Sequence, residues 1–291
     1  MDPNTHLSKE DCSSTKEEEA AMKKVPYWEA IGALNWIAVG SWSDIVFVIG
    51  QLVQYLENPG RVHWEAAKQV MRYLKSTKEK KLVYGASERS GLMSFTDADG
   101  ASQDDRWVIS GFTVLIDGGA VSWSSKKQEL VTLLTMEAEY MAATHAVKEL
   151  MWFRCLLGKI FRPLKVPIKL YSDNQSAIAL AHSDGQFHAC TKHINIQYHF
   201  IKFCINDFSI DIVYCPTEEM MADIFTKPLS VAKNSEFARS LSLLSVWGGV
   251  LKCKPCILIC ISIIACSYSF VCHCIYLIVF LLFHSSCKYI V

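Results

Sequence analysis

The first part of the chain places hydrophobic residues at the spacing of a helix. Within residues 26–57, Trp28, Ile31 and Leu34 recur at steps of three residues, and further apolar residues continue the pattern. A period close to 3.6 residues is typical of an α-helix that buries one face. We therefore predict that residues 26–57 are helical.

A second helix is predicted directly afterwards. Asn58-Pro59-Gly60 is a turn signal, and residues 63–77 carry apolar side chains on one helical face and basic side chains on the other. The basic face fits either a solvated surface or a contact with a substrate. Residues 25–88 are therefore expected to form a small helical segment.

The pattern then changes from helical spacing to alternation, which indicates strands. Residues 91–97 alternate and end on a carboxylate, and residues 110–116 and 120–125 are two further candidate strands. Asp117-Gly118-Gly119 lies between these two and predicts a hairpin turn. Three consecutive antiparallel strands are therefore expected.

Helices and strands alternate in the rest of this region. Candidate helices cover residues 135–157, 174–181 and 192–206, candidate strands cover 167–172 and 210–214, and Thr217 is placed to cap a last helix. Helical crossovers make the later strands parallel to their neighbours. We therefore predict an α/β fold with a five-stranded mixed sheet and flanking helices over residues 89–232.

The two ends of the chain differ from this middle part. Residues 1–24 are polar and are expected to be poorly ordered alone, and residues 233–252 are expected to form a short helix and linker. The tail, residues 253–291, is apolar and rich in cysteine, and residues 256–283 contain no Lys, Arg, Asp or Glu. That run is long enough to span a bilayer. Read-through past the natural end of a decayed element is the alternative interpretation.

Overall charge gives no direct indication of a nucleic-acid partner. Lys and Arg total 29, Asp and Glu total 29, and the net charge is zero. Any basic surface that contacts nucleic acid must therefore be local.

Acidic residues recur at positions that the predicted fold brings together. Asp97 and Asp173 each end a predicted strand, Glu137 and Glu139 lie near the start of the long helix, and Asp223 lies in the last helix. Each acid alone fits a turn, a helix cap or a favourable first-turn charge. Together at one sheet edge they would repel one another unless a cation joined them, and Mg²⁺ prefers such oxygen ligands.

Seven short motifs carry a resemblance to a known family. In chain order they are Thr96-Asp97-Ala98-Asp99, Ser110-Gly111-Phe112, Ser122-Trp123-Ser124-Ser125-Lys126-Lys127-Gln128, Thr135-Met136-Glu137-Ala138-Glu139-Tyr140-Met141-Ala142, Tyr171-Ser172-Asp173-Asn174-Gln175-Ser176-Ala177, Thr191-Lys192-His193-Ile194 and Ala222-Asp223-Ile224-Phe225-Thr226-Lys227. This series resembles the ribonuclease H domain of copia-type LTR-retrotransposon polyproteins. The resemblance implies a ribonuclease H-like fold.

The sequence upstream of these motifs resembles the same family. Residues 26–32 and 63–68 are similar to the end of its reverse transcriptase, and the whole resemblance covers about residues 10–230. The paired-Asp motif of the polymerase active site, Tyr-x-Asp-Asp, is absent. We therefore expect a polyprotein fragment that joins the end of a reverse transcriptase to a ribonuclease H domain.

The resemblance also implies which acids are catalytic and metal-binding. They fall on Asp97, Glu139, Asp173 and Asp223. Glu139 is preferred to Glu137 because it begins the Glu-Tyr-Met-Ala-Ala run, and Asp97 is preferred to Asp99 because it directly ends the predicted strand. The implied cofactor is a pair of Mg²⁺ ions, with Mn²⁺ as a substitute.

The implied activity is hydrolysis of the RNA strand of an RNA–DNA hybrid, in which water attacks phosphorus and a 3′-hydroxyl leaves. The implied partners are the hybrid and the remainder of the reverse transcriptase polyprotein, in a cytoplasmic particle or in the nucleus. A membrane would be contacted only through the tail. A catalytically inactive nucleic-acid-binding relic and a membrane-tethered fragment are the alternatives.

Polar residues near the acids are candidate substrate contacts. They are Asn174, Gln175, Lys126, Lys127, Lys192 and His193. Asn174 equally fits a cap of the short helix, and His193 equally fits a packed or surface histidine.

Overall fold

The part of the chain before the sheet contains four α-helices among its described residues, of which the last three form the helical segment. They are α1 (Lys16–Met22), α2 (Tyr27–Gly40), α3 (Val46–Val53) and α4 (Arg61–Ser76). The predicted helix over residues 26–57 is thus two helices. The break follows Gly40, a poor helix former, where the backbone N–H groups of Ser41 and Trp42 both donate to the carbonyl oxygen of Ile37. A 3₁₀ turn, Ser43–Ile45, then leads into α3.

A computed structural model of the chain describes residues 7–85, 89–99, 107–128, 135–161, 163–183 and 195–245. Lys192, His193 and the tail, residues 253–291, lie outside these ranges. Within the described ranges, no helix is both long and apolar enough to cross a membrane. The membrane-spanning tail therefore stays a prediction.

Residues 7–24 carry more structure than their polar composition predicts. Thr15 and Glu18 form a capping box that starts α1. The Tyr55 hydroxyl donates to the carbonyl oxygen of Leu7, and the Ser13 hydroxyl donates to that of Pro59. The helical segment thus supplies partners that the polar residues lack on their own, so the expectation of poor order applies only to the isolated stretch.

The five-stranded mixed sheet predicted from the sequence is confirmed. Its strands are β2 (Leu92–Asp99), β3 (Ile109–Ile116), β4 (Gly119–Lys127), β5 (Ile168–Ser172) and β6 (Ile210–Tyr214), in the order β4-β3-β2-β5-β6. β2, β3 and β4 are antiparallel, whereas β5 runs parallel to both β2 and β6. The carboxyl ends of β2 and β5 therefore meet at one edge of the sheet.

Two local features set the length and register of the antiparallel strands. Asp117 and Gly118 both have positive φ, 47° and 79°, as a two-residue hairpin turn of the primed type requires. β2 continues to Asp99, so Asp97 does not end the strand as expected. Asp97 instead pairs with Gly111 inside the ladder, because β3 is long enough to match it.

Helices pack against the sheet and complete the core. They are α5 (Thr135–Ile160), α6 (Gln175–His182) and α7 (Asn195–Asn206). α5 packs on β2 and β3, and its Tyr140, Leu150 and Phe153 are fully buried. This packing fixes the first turn of α5 at the sheet edge where β2 and β5 end.

The C-terminal part of the described chain differs from the prediction in two ways. Two 3₁₀ turns, Thr217–Glu219 and Met221–Phe225, replace the helix expected after Thr217, and the Thr217 side chain does not cap them. It donates instead to Asp173 Oδ2 at 2.9 Å. This tertiary hydrogen bond replaces the local capping bond that the sequence suggested.

Residues 233–245, which were predicted to form a short helix and the start of a linker, belong to the core. Helix α8 (Val231–Ser240) leads to β7 (Leu243–Ser245), which pairs with β1 (Lys80–Leu82). Phe237 is almost fully buried in the same apolar cluster as Phe95 on β2. The part of the predicted linker that reaches residue 245 therefore covers one side of the sheet.

Candidate active site

Three carboxylates from separate parts of the chain meet at the sheet edge. Asp97 lies in β2, Asp173 directly follows β5, and Glu139 lies in the first turns of α5. One carboxylate oxygen from each lies within 4.8 Å of the others. The parallel pairing of β2 with β5 and the packing of α5 on β2 produce this convergence.

The choice between neighbouring acids follows from this geometry. Glu137 and Glu139 are both buried, but only Glu139 joins Asp97 and Asp173 in the group of three that the described residues form. Asp99 lies two residues beyond Asp97 on the same face of β2 and is half-buried. The positions preferred in the sequence are therefore the ones that the fold brings together.

The buried carboxylates are unfavourable as bare anions. Asp97 is 3% exposed and Glu139 is 7% exposed. Burial raises the pKa of both carboxyl groups, and repulsion from nearby carboxylates raises that of Glu139 further, well above its usual range. Glu139 Oε2 has no hydrogen-bond partner among the described residues. A hard divalent cation fits such a set of oxygen donors.

Asp223 reaches the same cluster from the 3₁₀ turn Met221–Phe225. Burial and the charge of Asp97 raise the pKa of Asp223 to about 7, although the Lys227 ammonium opposes the shift. Lys227 Nζ lies 3.0 Å from Asp223 Oδ1 and 3.9 Å from Asp97 Oδ2. Burial lowers the pKa of Lys227, but the two carboxylates outweigh it and raise the pKa overall. Lys227 is therefore a cation held among the acids.

Two hydroxyl groups orient the acids, and sequence reasoning did not identify either of them. Thr226 Oγ1 donates to Asp97 Oδ2, and Thr217 Oγ1 donates to Asp173 Oδ2. Thr226 and Lys227 both belong to the motif that contains Asp223, which is the signal that could have pointed to them. No comparable signal marks Thr217, because its partner is 44 residues away.

The candidate substrate residues occupy two places around the cluster. Asn174 Oδ1 accepts from the Ala177 backbone N–H at 3.0 Å, so Asn174 is the cap of α6, as one of the two interpretations held. Gln175 is exposed in the first turn of α6, next to Asp173. Lys126 is exposed near the carboxyl end of β4.

The strand register relates the two lysines to the acids. Lys127 on β4 pairs with Ile109 on β3, and Ile109 pairs with Asp99 on β2. In the same way, Lys126 pairs with Ser110, and Ser110 pairs with Ala98. The lysines therefore lie two strands, about 10 Å, from the end of β2. Lys127 Nζ lies 5.2 Å from the centre of the Trp107 ring.

The sheet order β4-β3-β2-β5-β6, the helices that flank it and the carboxylates at its edge define a ribonuclease H-like α/β protein. No protein-family model matches the chain. The Pol polyprotein of transposon TNT 1-94 from Nicotiana tabacum is 41% identical over 222 residues, and that of transposon RE2 from Arabidopsis thaliana is 33% identical over 230 residues. The chain is thus homologous to a segment of the retrovirus-related Pol polyproteins of copia-type transposons.

The matched regions cover 76% and 78% of this chain, but the chain spans only 16% of the length of each of these two relatives. A third relative is short: the secreted RxLR effector protein 161 of Plasmopara viticola is 39% identical over 132 residues, which are 45% of this chain and 93% of that protein. The chain therefore corresponds to a limited segment of the full polyproteins.

Among solved structures, LC11-RNase H1 in complex with an RNA/DNA hybrid is 14% identical. The superposition covers 46% of this chain and 93% of that chain, with a TM-score of 0.37. A TM-score this low does not support a fold assignment. The ribonuclease H-like fold is therefore assigned from the strand order and the sequence motifs.

Proposed function

We propose that the protein is a divalent-metal-dependent ribonuclease that hydrolyses the RNA strand of RNA–DNA hybrids. The observation that supports this proposal most directly is the convergence of Asp97, Glu139 and Asp173, whose carboxylate oxygens lie within 4.8 Å of one another. The buried Oε2 atom of Glu139, which has no hydrogen-bond partner among the described residues, fits a cation ligand. Sequence similarity to transposon Pol polyproteins supports the substrate class.

Asp97, Glu139 and Asp173 would hold Mg²⁺, or Mn²⁺ as a substitute, and Asp223 would complete the acidic site. When bound, the metal would supply the Lewis acidity that activates water and stabilises charge at the scissile phosphate. The hydroxyl groups of Thr226 and Thr217 fix the orientation of Asp97 and Asp173. These two contacts would hold Asp97 and Asp173 in a fixed orientation toward a bound metal.

The proposed substrate contacts lie on both sides of the acids. Lys126 and Lys127 would contact phosphates from the strand end of β4, and Gln175 would contact the backbone or a sugar beside Asp173. The Oδ1 atom of Asn174 is engaged in the cap of α6, so a substrate contact of Asn174 would use its amide nitrogen. Recognition of the 2′-hydroxyl and of the groove shape would distinguish RNA from DNA.

Lys192 and His193 stay predicted phosphate contacts. The proposed partners are the hybrid and the remainder of the reverse transcriptase polyprotein. The proposed location is a cytoplasmic retrotransposon particle or the nucleus. Contact with a membrane would require the tail, residues 253–291.

Cleavage of a labelled RNA–DNA hybrid by the full chain in Mg²⁺ tests the activity. We expect wild type to cut only the RNA strand, and Asp173→Asn to reduce the rate by about a hundredfold or more, because a bound metal supplies several kcal/mol of transition-state stabilisation. Glu139→Gln should behave in the same way. EDTA should abolish cleavage by wild type.

Asp117→Asn is the matched control. Asp117 Oδ1 accepts from the Gly91 backbone N–H, which precedes β2, so this carboxylate lies at the opposite end of the sheet from Asp97. Asn tolerates the positive φ of Asp117. The cleavage rate of the Asp117→Asn variant should therefore match that of wild type. A folded wild-type protein that binds the hybrid without cutting it would favour the inactive nucleic-acid-binding relic and refute the proposal.

A further inference from the structure

The Lys227 ammonium occupies one side of the acidic cluster. It lies 3.0 Å from Asp223 Oδ1 and 3.9 Å from Asp97 Oδ2, and the lysine side chain is only 30% exposed. A lysine on the surface that pairs with one carboxylate is common and contributes little. Lys227 differs because both of its partners are buried: Asp97 is 3% exposed and Asp223 is 4% exposed.

The position of the lysine is set by the backbone as well as by charge. Lys227 lies four residues after Asp223, and its backbone N–H donates to the Asp223 carbonyl oxygen at 3.1 Å. The preceding residue, Thr226, donates its hydroxyl to Asp97. The backbone that leads from the 3₁₀ turn into Lys227 is thus tied to both of the acids that the ammonium contacts.

A divalent ion on this side of the cluster would need the same oxygens. Mg²⁺ binds carboxylate oxygens at 2.0–2.1 Å, so an ion ligated by Asp223 Oδ1 would lie within about 5 Å of the ammonium nitrogen. Two cations that close repel each other strongly where water is largely excluded. The group formed by Asp97, Glu139 and Asp173 offers a separate set of three oxygens within 4.8 Å.

We propose that Lys227 acts as a built-in monovalent cation on the Asp97–Asp223 side, so that the nucleic-acid-free protein binds one divalent ion and not two. That ion would use Asp97, Glu139 and Asp173. The inference rests on the proposed metal-dependent function and revises the expectation of two ions. Lys227 is in this view a positioning residue, which controls the number of bound ions through the acids that it contacts.

The number of Mn²⁺ ions bound by the full chain, without nucleic acid, tests this inference. Free Mn²⁺ is measured by electron paramagnetic resonance during a titration at pH 7.5. We expect one bound ion in wild type and two in Lys227→Met. Any weak binding of a second ion by wild type should be at least about tenfold tighter in the variant, because a nearby positive charge has been removed. Lys227→Arg keeps the charge and should bind one ion.

Lys68→Met is the control for the loss of a lysine from an ion pair. Lys68 Nζ lies 2.6 Å from Glu65 Oε1 on an exposed helix face, so this variant should still bind one ion. Circular dichroism checks that each variant is folded, and Lys227→Gln replaces Lys227→Met if the latter does not fold.

Three results would overturn the inference in distinguishable ways. Two ions of equal affinity in wild type and Lys227→Met would refute the role of Lys227 and leave the proposed nuclease intact. One ion in both proteins would refute it as well, because removal of the lysine would then not open a second site. No bound Mn²⁺ in wild type would refute the metal-dependent function itself.

Discussion

Gly111 on β3 faces Phe225 so closely that a Cβ atom built on the glycine would lie 2.7 Å from the Cβ atom of Phe225. The same atom would lie 2.7 Å from the Thr226 Cγ2 atom. Gly111 also pairs with Asp97 in the β2–β3 ladder. The absence of a side chain at this position therefore allows the turn that carries Asp223 to lie directly on the strand beside Asp97.

The substitution Gly111→Ala should displace that turn. We expect it to lower the free energy of unfolding by about 1–3 kcal/mol, as overpacking of a close contact does, and to slow hybrid cleavage in the fraction that stays folded. Thermal unfolding by circular dichroism and a cleavage assay below the melting temperature measure the two effects.

Gly32→Ala is the control for the first of these effects. Among the described residues, nothing lies within 4 Å of a Cβ atom at Gly32 on α2, and alanine is the better helix former by about 1 kcal/mol. This variant should be as stable as wild type or more stable. Equal stability of Gly111→Ala and wild type would show that the close contact is not needed.

The elements that follow from local pattern could be predicted from the sequence. The alternation in residues 91–97 indicated β2, and the Asp117-Gly118 turn predicted the hairpin that sets the β3–β4 register. The preference for Glu139 over Glu137 came from a motif. These features depend on residues close together in the chain, or on a short motif that resembles a known family.

The contacts that complete the site could not be predicted in the same way. Thr226 and Asp97 are 129 residues apart, and nothing in the local sequence of either one specifies the other. β1 and β7 are three residues long and show no clear alternation, so their pairing depends on the core that Phe237 and its neighbours form. Tertiary packing decides such features.

Gln128 joins the end of β4 to the start of the helix that carries Glu139. It is 2% exposed, and its Nε2 atom donates to Ser110 Oγ at 2.7 Å and to the Ala138 carbonyl oxygen at 2.9 Å. Gln128→Leu removes both bonds. We expect a loss of about 1–3 kcal/mol of stability and about a tenfold to hundredfold lower kcat, because Glu139 would shift.

Steady-state kinetics on the hybrid separates kcat from KM for this variant. Gln54→Leu, at an exposed position of the helical segment, should leave both constants unchanged. If kcat of Gln128→Leu stays at the wild-type value while the protein is less stable, Gln128 serves the fold and does not position Glu139.

Substitution of Phe237 tests whether residues 233–245 belong to the folded unit. The Phe237 side chain is 2% exposed on α8, within the cluster that includes Phe95. Phe237→Ala should lower the free energy of unfolding by about 3–5 kcal/mol. Val231→Ala, on the same helix but at a position 85% exposed, should change it by less than about 0.5 kcal/mol. Denaturant unfolding compares the two, and similar effects of both would mean that α8 does not pack on the core in solution.

The raised pKa of Asp223 predicts how the stability of the protein depends on pH. Burial, with the charge of Asp97, raises the pKa of Asp223 to about 7 in the folded protein, whereas an unfolded chain ionises this group near 3.9. Between these values the folded state binds more protons than the unfolded state. Stability from this group is therefore fully present below about pH 4 and declines as the pH rises to about 7.

Asp223→Asn removes this ionisation and keeps the shape of the side chain. Relative to wild type, the variant should gain stability as the pH rises from 4.5 to 8, by about 1–4 kcal/mol over the whole range. Denaturant unfolding at several pH values measures the difference, in EDTA and with Mg²⁺. Because a cation stabilises the ionised acids, Mg²⁺ should reduce the difference at pH 8 and leave it unchanged at pH 4.5. A difference that is constant with pH would mean that Asp223 ionises in the folded protein as freely as in the unfolded chain. A difference that favours wild type as the pH rises would mean that folding lowers the pKa of Asp223, and either result would contradict the prediction.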